Sequence, residues 1–128
     1  MVIPHFTGSL PERMEKLNDV LSGSSNIKLV GSSFGGLMAS IFAMENEPRV
    51  EILILLAPAI NLIGFSDYQL KEISIPVHIY HGMEDDVIPI NSVERAAKKY
   101  FSNYTFNKVD DDHFLHNTFR SIEWDKLL

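Results

Sequence analysis

Two rhythms of apolar and polar positions run along this chain, and the switches between them mark its elements. Ile27 to Val30 is a short run with the β-branched content of a buried strand. Val50 to Leu56 is apolar apart from Glu51, as expected of a parallel strand covered on both faces. Pro76 to His81 predicts another strand, Tyr104 to Val109 alternates like one, and Met1-Val2-Ile3 predicts a short strand that stops before Pro4. Between these runs the period lengthens. Met14, Leu17, Val20 and Leu21 recur at helical spacing, with Ser9 as a cap and Pro11 in the first turn. A second helix begins after Gly35-Gly36 and runs to about Met44. Asn91-Ser92-Val93-Glu94 reads as a capping box with Asn91 as the cap, opening a helix to about Phe101. Asn117 to Leu128 can form a last helix, while Asn61 to Ser74 has weak periodicity, with one helical turn at most around Tyr68 to Ile73.

Strand and helix alternate throughout. That order predicts right-handed crossovers, a mostly parallel sheet of about five strands and helices on both faces, an α/β three-layer sandwich. With 128 residues and no repeat, linker or low-complexity tract, residues 1–128 read as a single domain.

Composition narrows the partners. Eleven Lys and Arg against 17 Asp and Glu give a net charge of −6, which argues against nucleic acid or an anionic membrane. The nearest basic cluster, Arg95-Lys98-Lys99, fits the solvated face of a helix. There is no cysteine, so disulfides, thiolate chemistry and Cys-based zinc ligation are excluded. The longest apolar stretch, Ile52 to Ile60, is too short to span a bilayer and contains Pro58. With no basic region and apolar run at the N-terminus, a cytoplasmic protein is expected.

In a parallel sheet, ligands bind outside the carboxyl ends of the strands. Three loops at those ends carry reactive side chains: Ser33, then Asp85 or Asp86, then His113 or His116. Gly31-Ser32-Ser33-Phe34-Gly35 sets G-x-S-x-G across a strand, a turn and a helix. Glycine is expected at Gly31 and Gly35, where strand and helix would cross too closely for a Cβ. Ser33 then sits on the tip of the turn, and the N–H of Phe34 faces whatever Ser33 attacks. A serine hydroxyl needs a base to take its proton, histidine has a suitable pKa, and a carboxylate orients the ring. Taken singly, each residue has a structural explanation: a turn serine, turn carboxylates, a helix-capping histidine. Their recurrence at successive strand ends, in the order Ser, Asp, His, is what suggests chemistry. His113 is preferred to His116 because it directly follows the last strand and its loop. His81 is expected to hydrogen-bond backbone around the Gly82 turn rather than bind a metal. No metal site is expected, since three consecutive side chains, Asp110-Asp111-Asp112, cannot all face one ion. That run reads as a solvated acidic loop.

These residues resemble the α/β-hydrolase superfamily, and within it the compact serine esterases similar to the YqiA-like esterases. Gly31-Ser32-Ser33-Phe34-Gly35-Gly36 matches the family's elbow, and Asp112-His113-Phe114 its histidine loop. His81-Gly82-Met83-Glu84-Asp85-Asp86-Val87-Ile88-Pro89 matches the H-G-x-x-D-x-x-V-P acid loop and selects Asp85 over Asp86. The resemblance runs from about Ile27 to the end. It implies a minimal, lidless fold with no cofactor, and hydrolysis of small carboxylic esters or thioesters through an acyl-serine intermediate. Ser33, Asp85 and His113 would be catalytic, with Phe34 supplying one oxyanion donor.

The segment before the elbow is short for this family, and two arrangements stay open. Val2 to Ser9 could stand in for the family's His-Gly strand and loop, with Phe6 or Thr7 as the second oxyanion donor. Alternatively Val2-Ile3-Pro4 matches a later strand, and the oxyanion strand is missing. A shortened sheet would leave an apolar edge that a homodimer would cover. Asn61 to Ser74 is too short for a lid, and Leu62, Ile63, Phe65 and Tyr68 would line an acyl site or cover the sheet. The rival reading, from a different class, is a weak or inactive hydrolase-like binding module, motivated by that N-terminus.

Overall fold

The computed structural model describes residues 8–65, 71–113, 115 and 122. Four strands, β1 (Ile27–Ser32), β2 (Val50–Leu56), β3 (Val77–Gly82) and β4 (Tyr104–Val109), lie side by side in chain order. All three pairings are parallel. The helices are α1 (Leu10–Val20) before β1, α2 (Phe34–Glu45) between β1 and β2, and α3 (Ile90–Tyr100) between β3 and β4. The expected strand at Met1 to Ile3 and the last helix from Asn117 lie outside the described residues.

A strand order that never reverses, combined with crossovers of one hand, sends successive crossover helices to the same face. Leu53, Leu55, Val77 and Ile79 accordingly share one core with Met14 and Leu17 of α1, most of α2, and Val93 and Ala97 of α3. The alternate residues Ile54 and Leu56 point the other way and pack with Ala57, Leu115 and Ile122. This two-sided burial is why β2 is apolar at nearly every position.

α1 opens as its sequence predicts, with the Ser9 hydroxyl accepting the Glu12 N–H at 3.4 Å. α3 does not. Its cap is Pro89, whose carbonyl accepts the N–H groups of Ser92 (3.1 Å) and Val93 (3.3 Å), and no side chain caps it. Asn91 falls inside the first turn, because the ordered loop before it already delivers Pro89 where a helix can begin. The connection after β2 differs too. A 3₁₀ helix at Ile60–Phe65 buries Ile60 and Ile63 in the main core, while Leu62 is exposed. Ile63 therefore covers the sheet rather than lining an acyl site. Residues 71–73 are not helical: Ile73 forms a parallel bridge with Phe101, donating to the Tyr100 carbonyl and accepting from Ser102. Tyr68 and the side chain of Phe65 lie outside what is described.

The crossing of β1 and α2 depends on two glycines, and one of them is not the one the motif suggests. A Cβ on Gly31 would strike the Gly35 carbonyl oxygen and lie 2.8 Å from the Gly36 Cα. A Cβ on Gly36 would come within 2.6 Å of the Pro58 ring. A Cβ on Gly35 meets nothing within 4 Å. Gly35 thus faces open space, and Gly36 carries the close packing that the sequence assigns to Gly35. In urea unfolding, Gly31→Ala and Gly36→Ala are each expected to lower stability by about 1–3 kcal/mol through overpacking. Gly35→Ala, inside the first turn of a helix, is expected to be neutral or to gain about 0.5–1 kcal/mol.

Candidate active site

β1 ends opposite the end of β2, with Ser32 beside Leu56, and β3 ends level with β4, with Gly82 beside Val109. The loops that follow β1, β3 and β4 therefore emerge along one edge.

Ser33 occupies the turn between β1 and α2 with φ 53° and ψ −118°. A non-glycine residue there is strained and needs its surroundings to hold it. Its N–H donates to the Leu56 carbonyl at 3.0 Å, continuing the β1–β2 ladder one residue past the strand. Its carbonyl accepts from Gly36 (3.0 Å), Leu37 (3.3 Å) and Ala59 (2.9 Å). Phe34, the first residue of α2, contributes one of the N–H groups that a helix start leaves without an intrahelical acceptor. Its ring lies under the Arg13 guanidinium, with Cζ 4.5 Å from the centroid.

The acid and histidine loops are fastened together. Gly82 has no room for a Cβ, which would lie 2.6 Å from the Asp112 carbonyl oxygen and closer still to that of Asp111. Across this contact the Met83 N–H donates to the Val109 carbonyl (2.8 Å) and the Glu84 N–H to that of Asp111 (3.2 Å). Asp111 is buried, its Oδ1 accepting the Asp112 N–H at 2.9 Å, and Asp112 Oδ1 accepts the Leu115 N–H at 3.1 Å. Asp110 alone matches the solvated loop expected from sequence. Asp111 and Asp112 turn the backbone, and buried Leu115 anchors it, so their carboxylates serve local structure.

Ser33, His113 and Asp85 meet in a line. Ser33 Oγ is 3.1 Å from His113 Nε2, and His113 Nδ1 is 2.8 Å from Asp85 Oδ2. A carboxylate only accepts, so His113 carries its hydrogen on Nδ1 and offers Nε2 to the serine hydroxyl. The Asp85 side chain is fully buried, and its other oxygen accepts the N–H groups of Val87 (2.8 Å) and Ile88 (2.7 Å). Burial pushes this carboxyl up, but the Ile88 amide, His113 and the Val87 amide outweigh it and hold it below its usual value. Asp86 is exposed. Phe6 and His116 lie outside the described residues.

His81 is the neighbour that sequence reasoning placed only in part. A backbone hydrogen bond was expected near Gly82. Its Nε2 instead donates across the loop to the Ile88 carbonyl at 2.8 Å and stands 3.3 Å from Asp85 Oδ2. The signal was the four-residue spacing of His81 and Asp85. Burial lowers the His81 pKa, only partly offset by the Ile88 carbonyl and Asp85, so the ring is neutral. Its Nδ1 is buried with no partner among the described residues. His78 sits in mid-strand, half-buried opposite Thr105, away from this cluster.

Such a line of groups can carry a proton from Ser33 Oγ to His113 while Asp85 balances the charge. The chain belongs to the alpha/beta hydrolase family, whose model matches residues 10–120. Solved structures share its fold. Alpha/beta hydrolase domain-containing protein 10 from mouse is 16% identical with a TM-score of 0.72, covering 87% of this chain and 64% of that one. An alpha-beta serine hydrolase homologue from Coxiella burnetii is 24% identical with a TM-score of 0.67, covering 86% and 53%. An esterase, EaEST, from Exiguobacterium antarcticum is 16% identical with a TM-score of 0.67, covering 88% and 69%. The chain thus spans between about half and two thirds of the length of the first two. No curated protein matches it by sequence. Among the described residues, no helix is long and apolar enough to cross a membrane.

The lowered pKa values of His81 and Asp85 act on stability in the same direction. Each group binds its proton more readily in the unfolded chain, so stability rises with pH across each window. The His81 contribution is complete above its ordinary value of 6.5 and is lost as pH falls toward the folded value. The Asp85 contribution is complete above 3.8 and is lost below that. Urea unfolding is expected to show stability declining on acidification from about pH 6.5, by at most about 1.4 kcal/mol per unit from one group. His81→Gln, which does not titrate, is expected to flatten the upper part of that decline.

Proposed function

We propose that this protein is a serine hydrolase that cleaves small carboxylic esters or thioesters through an acyl-serine intermediate. The observation that carries the reading is the unbroken line Ser33 Oγ, His113 Nε2, His113 Nδ1, Asp85 Oδ2, with both gaps at hydrogen-bond length. In this reading Ser33 Oγ attacks the substrate carbonyl as its proton passes to His113 Nε2. The imidazolium gives that proton to the departing alkoxide or thiolate, and the acyl group stays on Ser33. Water then attacks the acyl carbonyl, His113 takes the water proton and returns it to Ser33 Oγ, and the carboxylic acid leaves. Asp85 stays ionised throughout, since its lowered pKa opposes proton transfer to it. The oxyanion lies against the N–H of Phe34, and Phe6 is proposed as the second donor. Each such donor is worth on the order of 10²–10³ in turnover.

Membership of the alpha/beta hydrolase family supports hydrolysis, and the esterase among the structures of the same fold supports the ester class. The Asn61 to Ser74 connection, too short for a lid, favours an open site and small acyl groups. The purified protein is expected to hydrolyse a short p-nitrophenyl ester and to be labelled by a fluorophosphonate at Ser33, located by peptide mass spectrometry. Ser33→Ala abolishes both, and equal labelling of that variant would overturn the assignment. Asp85→Asn is expected to lower kcat by on the order of 10⁴-fold.

A further inference from the structure

The line of three residues ends at Asp85, but the hydrogen bonds continue. Asp85 belongs to a loop, and loop geometry alone would not fix a carboxylate to the few tenths of an ångström that proton transfer demands. What fixes it are the amides of Val87 and Ile88, and of these two residues Ile88 is also bonded to His81. The Ile88 N–H donates to Asp85 Oδ1 at 2.7 Å, and the Ile88 carbonyl accepts from His81 Nε2 at 2.8 Å. His81 is the fifth residue of β3, fully buried, and paired in register with Lys108 of β4. A path of hydrogen bonds therefore runs from the sheet through His81 to Ile88, and from Ile88 to the carboxylate. The His81 Nε2–H edge also stands 3.3 Å from Asp85 Oδ2, the oxygen that receives His113.

We infer that His81 is a positioning residue, which holds Asp85 in line with His113 by clasping the Ile88 carbonyl. The inference rests on the serine-hydrolase reading above and extends it by one residue. Only one tautomer serves this role. The Ile88 carbonyl needs a donor, so the hydrogen is on Nε2 and Nδ1 is left bare in a buried setting. A second proton on His81 would add a buried cation whose nearest titratable neighbours are Asp85 and His113. Such a cation would compete with His113 for the same carboxylate oxygen. Burial keeps the ring neutral, so it acts as a hydrogen-bonding brace.

The test uses His81→Leu, which keeps the bulk and loses the donor, and His81→Gln, whose side-chain amide can place an N–H where Nε2 stood. His81→Leu is expected to lower kcat for a p-nitrophenyl ester by on the order of 10²-fold with KM unchanged. His81→Gln is expected to recover most of that loss. The low-field proton resonance of His113 Nδ1–H, bonded to Asp85, is expected in the wild type and the Gln variant and to broaden or move upfield in the Leu variant. Wild-type kcat and an unaltered resonance in His81→Leu overturn the inference, as does a Gln variant no better than a folded Leu variant. If His81→Leu does not fold, the Gln variant decides: near-wild-type kcat with the resonance retained supports the brace, and loss of either overturns it. Fluorophosphonate labelling separates the two levels. An unlabelled wild type removes the serine-hydrolase reading itself, whereas a labelled wild type with an indifferent His81→Leu removes only the role of His81.

Discussion

Everything at the carboxyl edge depends on how closely α2 passes over the end of β1. The helix can start one residue after the strand's turn only if Gly31 and Gly36 have no side chains, since the Gly35 carbonyl and the Pro58 ring occupy those spaces. That proximity leaves Ser33 with a backbone it would not choose, and the strain is held by hydrogen bonds on both sides of the residue. The same compression fixes where the first amide of α2 faces. Position of the hydroxyl and position of the nearest donor are thus one geometric fact.

A second close approach serves the other half of the site. Gly82 lets the backbone at Asp111 and Asp112 lie against the end of β3, so the loops bearing Asp85 and His113 are joined before their side chains meet. The two glycine contacts do comparable work at the ends of β1 and β3. Between them, β2 is the shared neighbour: Leu56 receives the N–H of Ser33, and the N–H of Ala57 reaches the Tyr80 carbonyl of β3.

Most of the fold was legible because its signals are local. The strand at Val50 to Leu56 and that at Tyr104 to Val109 follow the sequence rhythm to the residue. Ser9 and Pro11 announce α1 in the same way. The errors share a cause, which is that tertiary neighbours decided the outcome. Gly35 and Gly36 are indistinguishable in sequence until Pro58 is seen to pack on one and not the other. Asn91 has the chemistry of a cap, but the loop fixed by His81 and Asp85 starts the helix earlier. Asp111 and Asp112 read as solvated because nothing local says that Gly82 presses against them. For the site, residue type and order brought forward Ser33, Asp85 or Asp86, and His113, and the acid-loop resemblance chose Asp85. Distance could not be read, nor could the share of the work borne by His81, whose partner is a carbonyl with no sequence signature.

The order β1-β2-β3-β4 has a consequence for when Ser33 and His113 can meet. Each strand pairs with the next one along, so the sheet can grow by successive additions, each closing only a modest loop. Ser33 and His113, however, are 80 residues apart and follow β1 and β4, the strands at the two borders of the described sheet, whose loops bring them together. Their hydrogen bond can form only after the last strand has docked and its loop has seated on Gly82. A folding intermediate lacking β4 would have a formed elbow and a buried β2 yet no base beside the serine. The Ser33–His113 contact is therefore a late one among the described residues, and loosening of β4 would remove it.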